Sequence, residues 1–253
     1  MPLPTFLICG AQKAGTTALY EALRAHPDVC MSEPKETEFF NWHYQRGWDW
    51  FATHFDHYDG ESAIGEASTR TMPTPEAPER IVGCLPDAKL IFVLRNPVER
   101  AHSAFWYYVE QGILCPGEDF GAFIRNEGHP LRQEIVHYGY YNRHLERFLH
   151  TFDRAQMLLV RHVDLRERMS DTLSRIQKFI GVAPLGLEDE RGPRSNTPRY
   201  PASTSLPPST STLRPVTAST SGSARFAAAS RSTSSGSFES QSVLTTISFS
   251  AAA

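Results

Sequence analysis

A lysine inside a glycine-bounded turn is the residue of this chain best placed to act on a phosphate. It lies in Gly10-Ala11-Gln12-Lys13-Ala14-Gly15-Thr16-Thr17. Where such a turn joins a strand to a helix, backbone N–H groups and the helix N-terminus cradle phosphate oxygens, and a lysine adds a point charge. Gly10 and Gly15 have the separation of the triphosphatase loop GxxxxGK[ST], but Thr16 stands at the lysine position and the lysine comes earlier, at 13. A triphosphatase also needs a magnesium-holding carboxylate at a strand end, whereas the apolar run 89–94 leads into Arg95. The pattern is built to hold phosphate with cations rather than through a metal. Ser103 follows Arg95 by eight residues, about two turns into a helix that begins at Pro97. A strand-end guanidinium and a helix hydroxyl can grip a second phosphate. Taken singly, each residue has an ordinary alternative: glycines that merely fit a turn, a surface ion pair at Arg95, a Ser103 hydroxyl bonded to its own helix. Together they suggest a nucleotide with phosphates at two sites and no magnesium.

Such a site needs strands that end together and helices that begin beside them. Residues 5–9 read as a buried strand and 16–26 as a helix with Leu19 and Leu23 on one face, a strand, turn and helix unit around the lysine loop. Residues 63–65 form a weak short strand, 76–84 a helix, and 89–94 (Lys89-Leu90-Ile91-Phe92-Val93-Leu94) the clearest buried strand. Asn96, Pro97 and Glu99 then stand at N-cap, N1 and N3, predicting a helix over 97–111. Residues 140–152 are amphipathic, 157–160 are a strand, and 171–180 are a helix closed by Gly181. Alternating strands and helices predict an α/β fold: a P-loop-like parallel sheet with helices on both faces.

Composition narrows the function classes. The 253 residues, 40% hydrophobic, suffice for one sizeable core and too little for several domains. A net charge of -3 argues against a nucleic-acid coat, which needs a basic face. No apolar run reaches the ~20 residues of a membrane span. Residues 1–5 lack the basic and apolar regions of a secretory signal, so a cytoplasmic location is expected. Cys9, Cys30, Cys84 and Cys115 are widely spread and form no CxxC or Cys/His cluster. His54 and His57 sit among aromatics without a carboxylate or thiol at ligand spacing, and no metal site is expected. From Pro201 the chain turns to Ser, Thr and Ala, with Glu239 its one acidic residue. This divides the chain into a domain over 1–201 and a low-complexity tail over 202–253. The tail reads as disordered, or as the product of a shifted reading frame.

Three ordered motifs carry a family resemblance. Residues 6–17 (Phe6-Leu7-Ile8-Cys9 and the lysine loop) resemble the 5′-phosphosulfate loop of sulfotransferases that use 3′-phosphoadenosine 5′-phosphosulfate (PAPS). Residues 94–103 resemble their 3′-phosphate segment. Glu33-Pro34-Lys35-Glu36-Thr37-Glu38-Phe39-Phe40 is similar to the Lys-Glu-x-x-Phe-Phe stretch of the heparan sulfate N- and 3-O-sulfotransferase branch and its bacterial relatives. Gly139-Tyr140-Tyr141 and residues 175–181 extend the resemblance over most of 1–201. It implies PAPS as sulfuryl donor, bound by Gln12, Lys13, Ala14, Gly15, Thr16 and Thr17 at the 5′ end and by Arg95 and Ser103 at the 3′-phosphate. Lys13 would neutralise the leaving phosphate, and Glu36 would be the general base for a glycan or small-molecule acceptor. Glu38 shares a face with Glu36 if the segment is a regular strand. Glu66 resembles the family's strand-end glutamate, although Ala67 follows it where the heparan enzymes carry Lys. Arg199 and Tyr200 match part of the basic loop that closes over the cofactor, while Asn196, Thr197 and Pro198 depart from its Lys-Gly-Arg run.

Two other readings compete. One is a magnesium-dependent nucleotide kinase of related fold, disfavoured by the displaced lysine. The other is a truncated, non-catalytic binding protein for PAP, the desulfated product, because the family's final helices are absent after residue 201. The aromatic-rich stretch 39–58 reads equally as core or as an acceptor cleft.

Overall fold

The computed structural model describes residues 3–185. Five strands form one parallel sheet in the order β2-β3-β1-β4-β5: β1 Phe6–Gly10, β2 Val29–Met31, β3 Ala63–Ala67, β4 Lys89–Leu94 and β5 Met157–Arg161. β1 lies at the centre between β3 and β4, and all five of its residues are buried. That burial on both faces is why its sequence is a continuous apolar run rather than an alternating one. Phe6 pairs with Gly65 across β1 and β3. A Cβ on Gly65 would lie 2.2 Å from Cζ of the Phe6 ring and 2.6 Å from the Met31 sulfur, so the glycine is required by packing.

Helix α1, Thr16–Arg24, follows β1; α2, Gly47–Ala52, lies between β2 and β3, and α3, Ala77–Cys84, between β3 and β4. Four helices separate β4 from β5: α4 Pro97–Glu110, α5 Phe120–Arg125, α6 Pro130–His137 and α7 Tyr141–Thr151. After β5 come α8 His162–Glu167 and α9 Met169–Ile180. The step from β1 moves toward the β2 edge, while the steps from β3 to β4 and from β4 to β5 move the other way. Right-handed crossovers therefore put α1 on one face and α3 with α4–α7 on the other. Packing agrees: α3 touches α7, and His26 after α1 bonds the Ala183 carbonyl after α9 at 2.9 Å.

Every expected strand and helix among the described residues is present, with ends shifted by one or two residues. β2 and the short helices α2, α5, α6 and α8 are additions. The Asn96 cap forms, its side chain accepting from the Val98 and Glu99 N–H groups. Glu99 does not close the capping box; its carboxylate accepts from Arg95 Nε at 3.3 Å. The stretch 33–41 is not a strand, for Glu36 and Glu38 adopt φ of 61° and 56°. The aromatic stretch is mostly core: Phe39, Phe40, Phe51 and Phe55 are buried, and Phe39 stacks on Phe51 at 4.2 Å. The tail over 202–253 and the domain boundary at 201 lie outside the described residues.

Candidate active site

Parallel strands deliver their carboxyl ends to one edge of the sheet, and reversal of strand order beside β1 opens a crevice there. A cleft of about 460 Å³ occupies that place. Its floor is the turn between β1 and α1. Gly10 has φ 139°, and a Cβ there would lie 2.8 Å from the Thr69 carbonyl oxygen. Gly15, at φ 91°, is the N-cap of α1 and offers no side chain to its first N–H groups. Those donors are left for a ligand. The turn is anchored to the sheet by the Ala11 N–H bonding the Val93 carbonyl at 2.8 Å.

Lys13 lies in this turn with φ 64°, and its ammonium sits 4.2 Å from the centre of the Tyr107 ring on α4. Burial pushes its pKa down, the Glu110 carboxylate opposing that and Arg95 adding to it. Arg95 extends from the end of β4 and donates through Nη1 to the Lys13 carbonyl at 3.2 Å, bracing the turn. Gln12 Oε1 is buried without a hydrogen-bond partner, an acceptor left for a donor on a bound molecule.

The opposite wall is the segment after β2. Glu36 lines the cleft, its Oε2 accepting from the Thr69 N–H at 2.7 Å and the Thr69 hydroxyl at 3.1 Å, its Oε1 paired with Lys35. Its own N–H bonds the Ala67 carbonyl at 2.9 Å. Glu38 also lines the cleft; burial raises its pKa, against a hydrogen bond from Asn41. Below both lies Glu66, 1% exposed, with Oε1 accepting from Thr37 Oγ1 at 2.9 Å and from Ser68 Oγ. Desolvation lifts Glu66 to about 7 despite those two donors. Glu66 does not line the cleft.

The fold thus brings Gln12, Lys13, Thr16, Thr17 and Glu36 to one cavity. Ala14 is fully buried under the turn. Arg95 touches the turn from behind, and Ser103, 2% exposed, faces inward on α4; neither belongs to the cleft lining. Arg199 and Tyr200 lie outside the described residues. Sequence reasoning missed Arg70, Tyr107 and Tyr108 as cleft residues, and took Trp42 only as part of an aromatic stretch. The signal for the two tyrosines was present: they follow Ser103 by about one turn on the helix that begins at Pro97.

An uncapped helix start at the end of a central parallel strand, with a lysine and a carboxylate lining the cleft beside it, is an arrangement suited to group transfer from a phosphate-bearing donor. Residues 3–191 match the sulfotransferase domain, and the chain belongs to that family. It is 33% identical over 199 residues to human bifunctional heparan sulfate N-deacetylase/N-sulfotransferase 3, an alignment covering 72% of this chain and 23% of that protein. The chain therefore spans about a quarter of the length of such relatives. The crystal structure of a sulfotransferase from Alicyclobacillus acidocaldarius superposes with a TM-score of 0.69 at 27% identity, covering 78% of this chain and 88% of that one. The fold is shared with mouse sulfotransferase SULT7A1 complexed with PAP, with a TM-score of 0.50 at 18% identity over 74% of this chain and 60% of that one. The matched domain is that of sulfotransferases, and the nucleotide kinase alternative is not favoured.

Proposed function

We propose that the chain transfers a sulfuryl group from PAPS to a hydroxyl or amine of a glycan or small-molecule acceptor, with residues 1–201 as the transfer unit. The observation that carries this is Lys13 and Glu36 lining one cleft, the cation on the turn between β1 and α1 and the carboxylate on the segment after β2. The uncapped start of α1, with its free N–H groups, fits the anionic end of such a donor.

PAPS supplies an activated sulfuryl group on a phosphate leaving oxygen. The turn from Gln12 to Thr17 holds that end, with Ala14 and Gly15 contributing backbone. Arg95 and Ser103, which lie outside the cleft lining, are assigned to the 3′-phosphate from the resemblance, as are Arg199 and Tyr200. In the transfer the sulfur–oxygen bond to phosphate breaks and a bond from sulfur to the acceptor atom forms. The acceptor proton passes to Glu36, and Lys13 meets the charge appearing on the released phosphate. Thr69 holds the Glu36 carboxylate through one oxygen, fixing its direction.

Glu66, buried beneath the wall, has no access to an acceptor, so Glu38 is the carboxylate that would take the role of base if Glu36 does not have it. Cys9, Cys30, Cys84 and Cys115 are free thiols, which fits a reducing, cytoplasmic setting. No helix among the described residues is long and apolar enough to cross a membrane.

Calorimetric titration with PAP, with and without EDTA, tests the donor reading. Equal affinity in both is expected, because Lys13 and Arg95 supply the positive charge. Binding abolished by EDTA would sink it.

A further inference from the structure

Resting on that reading of the cleft, we propose that Trp42 is the stacking platform of an acceptor subsite shaped for an uncharged sugar ring. Trp42 lines the cleft next to Glu38 and yet is 65% exposed, while Phe39 and Phe40 beside it in sequence are buried. Leaving an indole in water forgoes the gain of burying it, unless a ligand covers it.

The indole is held in place by a series of contacts from separate segments. The backbone beneath it is fixed by the Trp42 main-chain N–H, which bonds the Glu38 carbonyl at 2.9 Å. The Arg70 guanidinium lies 4.3 Å from the ring centre, Arg70 Nη2 donates to Glu134 Oε1 at 3.2 Å, and the Tyr108 hydroxyl donates to that same oxygen at 2.6 Å. The segment after β2, the one after β3, α4 and α6 all contribute to orienting one exposed ring. An orienting scaffold of that kind lowers the ordering cost of a ligand that stacks on it.

Charge selects the ligand. Arg70 is paired with Glu134 and Lys35 with Glu36, so the cations nearest the platform are already countered, and the Glu38 carboxylate stands beside it. A polyanionic chain laid here would meet carboxylate. A neutral sugar suits the place better: its C–H face covers the indole while its hydroxyls reach Glu38 and the Gln111 amide, which also lines the cleft. A purely aromatic acceptor would leave those polar groups without partners.

The test uses the full chain saturated with PAP, titrated calorimetrically with the neutral trisaccharides cellotriose and maltotriose and, separately, with a glucuronate-bearing heparosan hexasaccharide. At least one neutral trisaccharide should bind, with affinity changing less than about twofold when salt is raised, since no charge is being screened. Trp42→Ala should weaken it about tenfold and Trp42→Phe about threefold or less, with PAP affinity unchanged in both. Tighter binding of heparosan than of either neutral sugar, absence of neutral-sugar binding, or an unaffected Trp42→Ala variant would each overturn the proposal. The two readings fail separately. A chain that binds no PAP but binds neutral sugar through Trp42 loses the donor reading and keeps the subsite, whereas PAP binding without sugar binding removes the subsite alone.

Discussion

Thr37 Oγ1 donates to Glu66 Oε1 at 2.9 Å, and the Ser68 hydroxyl donates to the same oxygen, so one buried carboxylate ties the cleft wall to the end of β3. The wall needs such a tie. Glu36 and Glu38 flank Thr37 with left-handed backbone, which costs about 1 kcal/mol or more per residue and persists where surrounding bonds over-determine it.

Glu66 makes stability depend on pH. Its folded pKa, about 7, lies above the ordinary carboxylate value of 4.5 because burial disfavours the charge. A raised folded pKa contributes stability that is fully present below about 4.5 and is lost as pH rises through about 7. Glu66→Gln removes the ionisation but keeps a side-chain oxygen for Thr37 and Ser68. Thermal melts should therefore show the variant gaining on the parent by several degrees between pH 5 and pH 8. A difference independent of pH would mean that Glu66 does not titrate in this range.

Lys13→Ala should lower turnover more than PAP affinity. The ammonium lies over Tyr107, and in the proposed transfer it meets the charge that develops on the leaving phosphate, so its largest effect would be on the transition state. Steady-state kinetics beside calorimetry separates the two, and equal losses would reduce Lys13 to a binding residue.

Glu36→Gln should keep PAP affinity and melting temperature near those of the parent while turnover falls ~10²–10⁴-fold, the usual worth of a positioned base. The Gln oxygen can still accept from Thr69, so the wall survives the change. Near-parent turnover would move the base to Glu38, and Glu38→Gln would then show the loss.

Gly65→Ala should destabilise the sheet by ~1–3 kcal/mol, because the added methyl would sit within 2.2 Å of the Phe6 ring. Chemical denaturation measures it. Unchanged stability would show that Phe6 and Met31 move aside without cost.

Much of this protein was legible in its sequence because the informative interactions are local. The apolar run of β1 followed by Gly10 to Thr17 contains its own turn geometry, and Asn96 before Pro97 contains its own cap, so strand, loop and helix start could be read without knowing the rest of the chain. The cluster Phe39 to Phe55 announced an aromatic mass but not its side of the molecule. What only the tertiary structure decided is which distant segments meet. The left-handed turns at Glu36 and Glu38, set by hydrogen bonds to Ala67 at the end of β3 and to Ser68 just after it, turn two carboxylates into the same cleft where an extended reading gave only a shared strand face. Arg70, Glu134 and Tyr108 lie far apart in the chain and become one support for Trp42 through crossovers that pass over the sheet. Burial likewise separated Glu66 from Glu36, because a carboxylate's exposure and pKa depend on what packs over it, and residue spacing does not record that.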